Sequence, residues 1–196
     1  MLFPLELRFK ILALASQIYV RDANETLVAY VRQKLFKLKE DVVVYGDDAQ
    51  QQVLYRIRAD RIIDISAAYA ITDAESGRVL GTLKRHGMRS FWRAHYEITA
   101  ATGATYVVRE ESVWVRVLDG LVGQVPVVGM FAGYVFHPAY RVVRAGSESP
   151  VMRIVKTPAL FEGRFRLDAP AIAGEEEAEL LVLSTLMILL LERGRG

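Results

Sequence analysis

Short segments in which hydrophobic and polar residues alternate follow one another along the chain, separated by turns rich in Asp, Asn, Ser and Gly. Alternation of this kind is typical of β-strands that bury one face, and turn residues between two such runs predict a β-hairpin. Four hairpins are predicted in succession, and aligning Asp22, Asp48, Asp73 and Ala100 gives steps of 26, 25 and 27 residues. A fixed period indicates a repeated supersecondary unit, and here that unit predicts a mainly β protein.

Further strands are predicted on both sides of these hairpins. Residues 34–39 intersperse lysine with leucine and phenylalanine and predict one further strand. Residues 140–144 and 151–155 predict a fifth hairpin around Gly146, and a last strand is predicted near residues 164–167. About a dozen antiparallel strands favour a closed β-barrel, because closure removes exposed strand edges. A barrel of that size is too wide to be filled by its own inward side chains.

The final hydrophobic segment of the chain can fill the centre of such a barrel. Residues 180–191 are apolar except for Ser184 and Thr185, and four glutamates stand just before them. A helix without a polar face must be buried, yet these twelve residues rise only about 18 Å, whereas a bilayer core is about 30 Å thick. We therefore predict a hydrophobic C-terminal helix at about residues 174–193, enclosed at the centre of the barrel.

Composition narrows the functional classes. The 196 residues suit a single domain, 52% are hydrophobic, and the net charge of +2 does not favour strong binding to nucleic acid. With no cysteine there is no thiolate metal site, and the three histidines lack metal-ligand spacing. The aspartates in the turns do not match a calcium loop, and no catalytic motif is present. We expect no enzyme activity, no metal and no cofactor, and a cytoplasmic protein that can lie at a membrane surface.

Several local runs carry a resemblance to a known family. Residues 30–38 read Tyr-Val-Arg-Gln-Lys-Leu-Phe-Lys-Leu, and residues 90–93 read Ser-Phe-Trp-Arg. Together with the hairpin repeats and the terminal helix, they resemble the tubby C-terminal-like superfamily, which includes the LURP-one-related proteins and the phospholipid scramblases. The resemblance covers nearly the whole chain and implies a twelve-stranded barrel threaded by a hydrophobic C-terminal helix. Scramblase-like proteins also carry a calcium-binding segment and palmitoylated cysteines, which this chain lacks in recognisable form.

Basic residues at strand ends are the first candidate site. In tubby-like proteins lysine and arginine on the barrel surface bind phosphoinositide head groups, so the resemblance implies a lipid head-group site here. The residues predicted for it are Lys84, Arg85, Arg89 and Arg93. The alternative is a solvated face whose charges are balanced by neighbouring acids.

The second candidate is an insertion at about residues 113–138, which breaks the hairpin period and is apolar and rich in glycine. One interpretation is a loop or short helix that closes one end of the barrel. The other is an exposed element that contacts a membrane or a partner through Phe131, Tyr134 and Phe136.

The predicted function is a non-catalytic module that interacts with membranes or phospholipids, as the resemblance implies. The expected partner is an anionic phospholipid or membrane surface, or another protein, while nucleic acid is disfavoured. The alternatives are a protein- or nucleic-acid-interaction module without a lipid role and a binder of a small apolar ligand.

Overall fold

Twelve antiparallel strands and one helix make up the regular structure of the described residues. A computed structural model describes residues 1–10, 15–34, 41–60, 67–86, 95–110, 139–159 and 162–193. In chain order the elements are β1 (Leu5–Lys10), β2 (Ala15–Arg21), β3 (Leu27–Lys34), β4 (Asp41–Tyr45), β5 (Val53–Ala59), β6 (Ala68–Asp73), β7 (Val79–His86), β8 (His95–Ala100), β9 (Thr105–Glu110), β10 (Ala139–Arg144), β11 (Pro150–Thr157), β12 (Glu162–Asp168) and α1 (Glu175–Arg193).

The strands close into a barrel. Each strand pairs with its neighbours along the chain, and β1 pairs with β12 to complete the ring. The prediction of a closed, twelve-stranded antiparallel barrel is therefore confirmed. The five predicted hairpins are β2–β3, β4–β5, β6–β7, β8–β9 and β10–β11. Most of the predicted strand at residues 34–39 lies outside the described residues.

Strand β1 is the element that the hairpin pattern does not include. Its Leu5, Leu7 and Phe9 point into the barrel and are at most 2% exposed. Leu5 lies opposite Leu167 of β12, and Leu7 lies opposite Val20 of β2. Because a barrel without this strand would leave two open edges, β1 is the strand that closes the sheet.

Helix α1 fills the barrel, as predicted. Residues 180–191 are all at most 9% exposed, and the apolar ones belong to the same hydrophobic core as the inward side chains of the strands. The hydroxyl of Thr185 donates a hydrogen bond to the Leu181 carbonyl at 2.8 Å, which satisfies one of the two polar side chains in this stretch. The helix is buried in protein because the barrel surrounds its apolar surface on all sides.

Gly81 of β7 allows the helix to approach the wall closely. A Cβ added at this glycine would lie 2.5 Å from the Thr99 carbonyl oxygen and 2.9 Å from Cδ1 of Leu180. Any larger residue would therefore overlap both the neighbouring strand and the first turns of the helix.

Glutamates at the start of α1 bind the barrel rim. The Glu177 side chain is 12% exposed and lies 2.9 Å from Nη2 of Arg144, while the Tyr106 hydroxyl donates to it at 2.5 Å. Its second carboxylate oxygen accepts the Ala173 N–H at 2.9 Å, just before the helix begins. Burial alone would raise the pKa of Glu177, but these hydrogen bonds together with Arg144 lower it below its ordinary value. Glu177, one of the glutamates before residue 180, therefore fixes the start of α1 to the barrel wall.

Candidate basic surface of the barrel

Arginines dominate the outward positions of strands β9 to β12. Because side chains alternate along a strand, arginines next to buried residues lie on the outer face; the buried residues are Val108, Val142, Ile154 and Leu167. Five outward arginines, which we call the arginine band, lie on these four strands: Arg109, Arg141, Arg153, Arg164 and Arg166.

The strand register places three of these arginines side by side. Arg141 of β10 is directly opposite Arg109 of β9 and directly opposite Arg153 of β11. We call these three residues the three-arginine row. Directly opposed side chains have Cβ atoms about 4.5–5.5 Å apart, and like charges in such positions destabilise a sheet. An acid or a bound anion near the row therefore stabilises this part of the sheet.

One carboxylate of the described residues approaches this row from the turn between β10 and β11. Oε1 of Glu148 lies 3.6 Å from Nη1 of Arg109, and its Oε2 lies 4.0 Å from Nη2 of Arg141. Both distances exceed those of ordinary hydrogen bonds, and the Glu148 side chain is 81% exposed. Glu148 therefore neutralises part of the charge without being fixed in place.

A second acid of the described residues near the row pairs with another arginine of the band. Asp168 of β12 lies opposite Arg153, but its carboxylate accepts a hydrogen bond from Nε of Arg166 at 2.9 Å. The adjacent β1 carries Arg8 on the same outer face, where it pairs with Glu6. The arginine band thus combines closely spaced arginines with described acids at its edges.

The predicted residues Lys84 and Arg85 lie on opposite sides of the wall. Lys84 is exposed on the outer face, opposite Glu97 of β8, whereas Arg85 is only 8% exposed and points into the barrel. A head group on the outer wall can therefore approach Lys84 more readily than Arg85. Head-group binding by these two residues stays a prediction.

Arg85 belongs to a polar cluster near the last turn of α1. Its guanidinium carbon lies 6.0 Å from the ring centre of Tyr96, and the Tyr96 hydroxyl donates a hydrogen bond to Glu192. Burial raises the pKa of the Tyr96 phenol well above its ordinary value, and the hydrogen bond to Glu192 adds to that shift. This cluster and the Glu177 contacts hold the two ends of the helix against the barrel.

The remaining predicted site residues lie outside the described residues, as does the whole insertion at about residues 113–138; they are Arg89, Arg93, Phe131, Tyr134 and Phe136. Their roles stay predictions.

Two further properties bear on function. Among the described residues, no group of three or more His, Cys, Asp or Glu side chains could hold a metal ion. Within that same part of the chain, no helix combines the length and hydrophobicity needed to cross a bilayer.

Comparison with known proteins identifies the family. The model of the LURP-one-related family matches residues 27–168, which run from the first residue of β3 to the last residue of β12. Searches of the curated proteins and of the solved structures found no match. The family match covers well over half of the chain and agrees with the twelve-stranded barrel around a C-terminal helix. The chain therefore belongs to the LURP-one-related family of the tubby-like superfamily.

Proposed function

We propose that this protein is a non-catalytic module that associates with anionic phospholipid membranes through the arginine band. The observation that carries the proposal is the concentration of five outward arginines on four consecutive strands, in a chain whose net charge is only +2. Guanidinium groups match the geometry of phosphate oxygens, and arginine is therefore well suited to binding phospholipid head groups.

The binding energy expected from the arginine band is sufficient for reversible attachment to a membrane. A basic residue near an anionic membrane surface contributes about 1 kcal/mol to binding. If the three-arginine row contributes at this level, neutralising it removes about 3 kcal/mol, which corresponds to roughly a hundredfold weaker partitioning.

Vesicle sedimentation at two salt concentrations tests the proposal. Wild-type protein is mixed with phosphatidylcholine vesicles or with vesicles that also contain phosphatidylserine. We expect binding to the anionic vesicles only, and weaker binding at the higher salt concentration. The triple variant Arg109→Gln, Arg141→Gln, Arg153→Gln should lose about a hundredfold in partitioning.

The chain offers a matched control with the same loss of charge. Arg32, Arg56 and Arg58 lie at outward positions of β3 and β5, away from the arginine band. Their triple replacement by glutamine should leave most of the vesicle binding intact. Equal losses in the two triple variants would show that only total charge matters, and absence of wild-type binding would favour a protein partner instead. A single Lys84→Gln variant tests the predicted head-group residue on β7 in the same assay.

A further inference from the structure

The β10–β11 turn is built so that Glu148 reaches the three-arginine row. Gly146 has a φ of 82°, and the Ser147 N–H donates to the Arg144 carbonyl at 2.9 Å. The Ser149 N–H donates to the Ser147 hydroxyl at 3.2 Å. These bonds order the backbone of the turn on both sides of Glu148, which places its exposed side chain within reach of Arg109 and Arg141.

The contact is loose at the level of individual atoms. Neither carboxylate oxygen of Glu148 lies within ordinary hydrogen-bond distance of the two guanidinium groups. In addition, Nε of Arg141 is buried and has no hydrogen-bond partner among the described residues. The guanidinium groups of Arg109 and Arg141 therefore retain donor capacity that Glu148 does not use.

A phosphate group suits these arginines better than the Glu148 carboxylate because it carries more negative charge. Glu148 brings one negative charge to Arg109 and Arg141, which stand side by side on neighbouring strands. A phosphomonoester carries about 1.5–2 negative charges near neutral pH and offers three acceptor oxygens, which suit the forked donors of arginine. A phosphodiester head group carries a single charge at its phosphate, and so gains less from the row.

We propose that Glu148 is an internal competitor that occupies the three-arginine row until a phosphomonoester displaces it. The inference rests on the proposed function, because the row is the centre of the arginine band, and it adds a ligand class and an autoinhibitory contact. The phosphomonoester can belong to a lipid head group or to a small molecule in solution.

The test compares Glu148→Gln with Glu75→Gln, which removes the same charge from the exposed β6–β7 turn. Binding is measured to phosphatidylcholine vesicles containing phosphatidic acid, and to vesicles containing phosphatidylserine at equal surface charge. We expect Glu148→Gln to bind the phosphatidic acid vesicles about three- to tenfold more tightly than wild type, as loss of two exposed ion pairs allows. Glu75→Gln should change the binding much less. In an Arg141→Gln background the gain should disappear.

Glycerol 3-phosphate distinguishes the two sources of the phosphate. If it binds in calorimetry and competes with the vesicles, the row takes a free phosphomonoester; if only the vesicles bind, the lipid head group is the ligand. Equal effects of Glu148→Gln and Glu75→Gln would overturn the competitor role while wild-type binding to anionic vesicles still supported the proposed function. Equal gains on the two vesicle types would overturn the phosphomonoester class. Failure of wild type and Glu148→Gln alike to bind any anionic vesicle would overturn the proposed function. Failure to bind glycerol 3-phosphate as well would overturn both proposals.

Discussion

Replacing Glu177 by glutamine should detach the start of α1 from the barrel rim and destabilise the fold. One carboxylate oxygen of Glu177 accepts hydrogen bonds from Tyr106 and Arg144, and the other accepts the Ala173 N–H. Glutamine keeps the shape but loses the charge, and its amide nitrogen must face one of these donors. Hydrogen bonds to a charged group contribute about 1.5–3 kcal/mol each and neutral ones about 0.5–1.5 kcal/mol.

These magnitudes predict a loss of about 2–3 kcal/mol in the free energy of unfolding. The ion-pair part of that figure is limited because the Arg144 side chain is 51% exposed and screened by solvent. Urea unfolding followed by circular dichroism measures the change. The matched control is Glu176→Gln, whose partner Arg78 lies 2.6 Å away, because those two side chains are 48% and 58% exposed. We expect the control to cost at most about 1 kcal/mol.

The pH dependence of the free energy of unfolding provides a second test of the role of Glu177. Because the pKa of Glu177 is lowered in the folded state, its stabilisation is fully present above the unfolded value of about 4.3. It is lost as the pH falls through the lower folded value. Wild type and Glu177→Gln should therefore become similar in stability well below pH 4. Equal effects of the two variants at neutral pH, or a difference that persists in acid, would refute the role assigned to Glu177.

Three further predictions follow from the barrel interior. Gly81→Ala should destabilise the protein by about 1–3 kcal/mol, because the added Cβ meets the Thr99 carbonyl. The control Gly163→Ala should stay within about 1 kcal/mol of wild type. A tolerated Gly81→Ala would contradict the close contact. Deleting the chain from Glu175 onward should abolish cooperative unfolding, and a folded, monomeric product would show that the helix is dispensable. The raised pKa of Tyr96 means that its stabilisation persists below the unfolded value of about 10 and is lost as the pH rises through the higher folded value. Tyr96→Phe should therefore weaken the fall in stability that wild type shows in alkali.

Much of the fold could be predicted from the sequence, because the alternation of hydrophobic and polar residues and the residues of the turns are local properties. Asp22 accepts the N–H groups of Asn24 and Thr26, and Asp73 accepts that of Ser76, as expected of turn residues. Strand β1 could also have been predicted, since Leu5, Leu7 and Phe9 alternate with charged residues. It was not part of the repeat, and a single strand without a hairpin partner gives a weaker local signal.

The positions of the basic side chains on the barrel depend on contacts between residues that are far apart in the sequence. Lys84 and Arg85 are adjacent in sequence, yet the two-residue period of a strand sends them to opposite faces, and the neighbouring buried Leu83 was the signal for this. The alternation around Arg109 and Arg141 likewise indicates that both point outward. It does not indicate that they stand opposite each other, because 31 residues separate them along the chain and register is set by strand pairing.

The sequence by itself determined the strands, their turns and a helix that had to be buried, because periodicity, turn residues and an all-apolar surface act within a few neighbouring residues. The tertiary structure decided which side chains meet. Barrel closure and cross-strand register brought Arg109, Arg141 and Arg153 into one row, placed Glu148 against two of them, and turned Arg85 towards Tyr96 in the interior. These contacts join residues far apart in the chain, and their energies depend on burial and distance, which only the folded barrel defines.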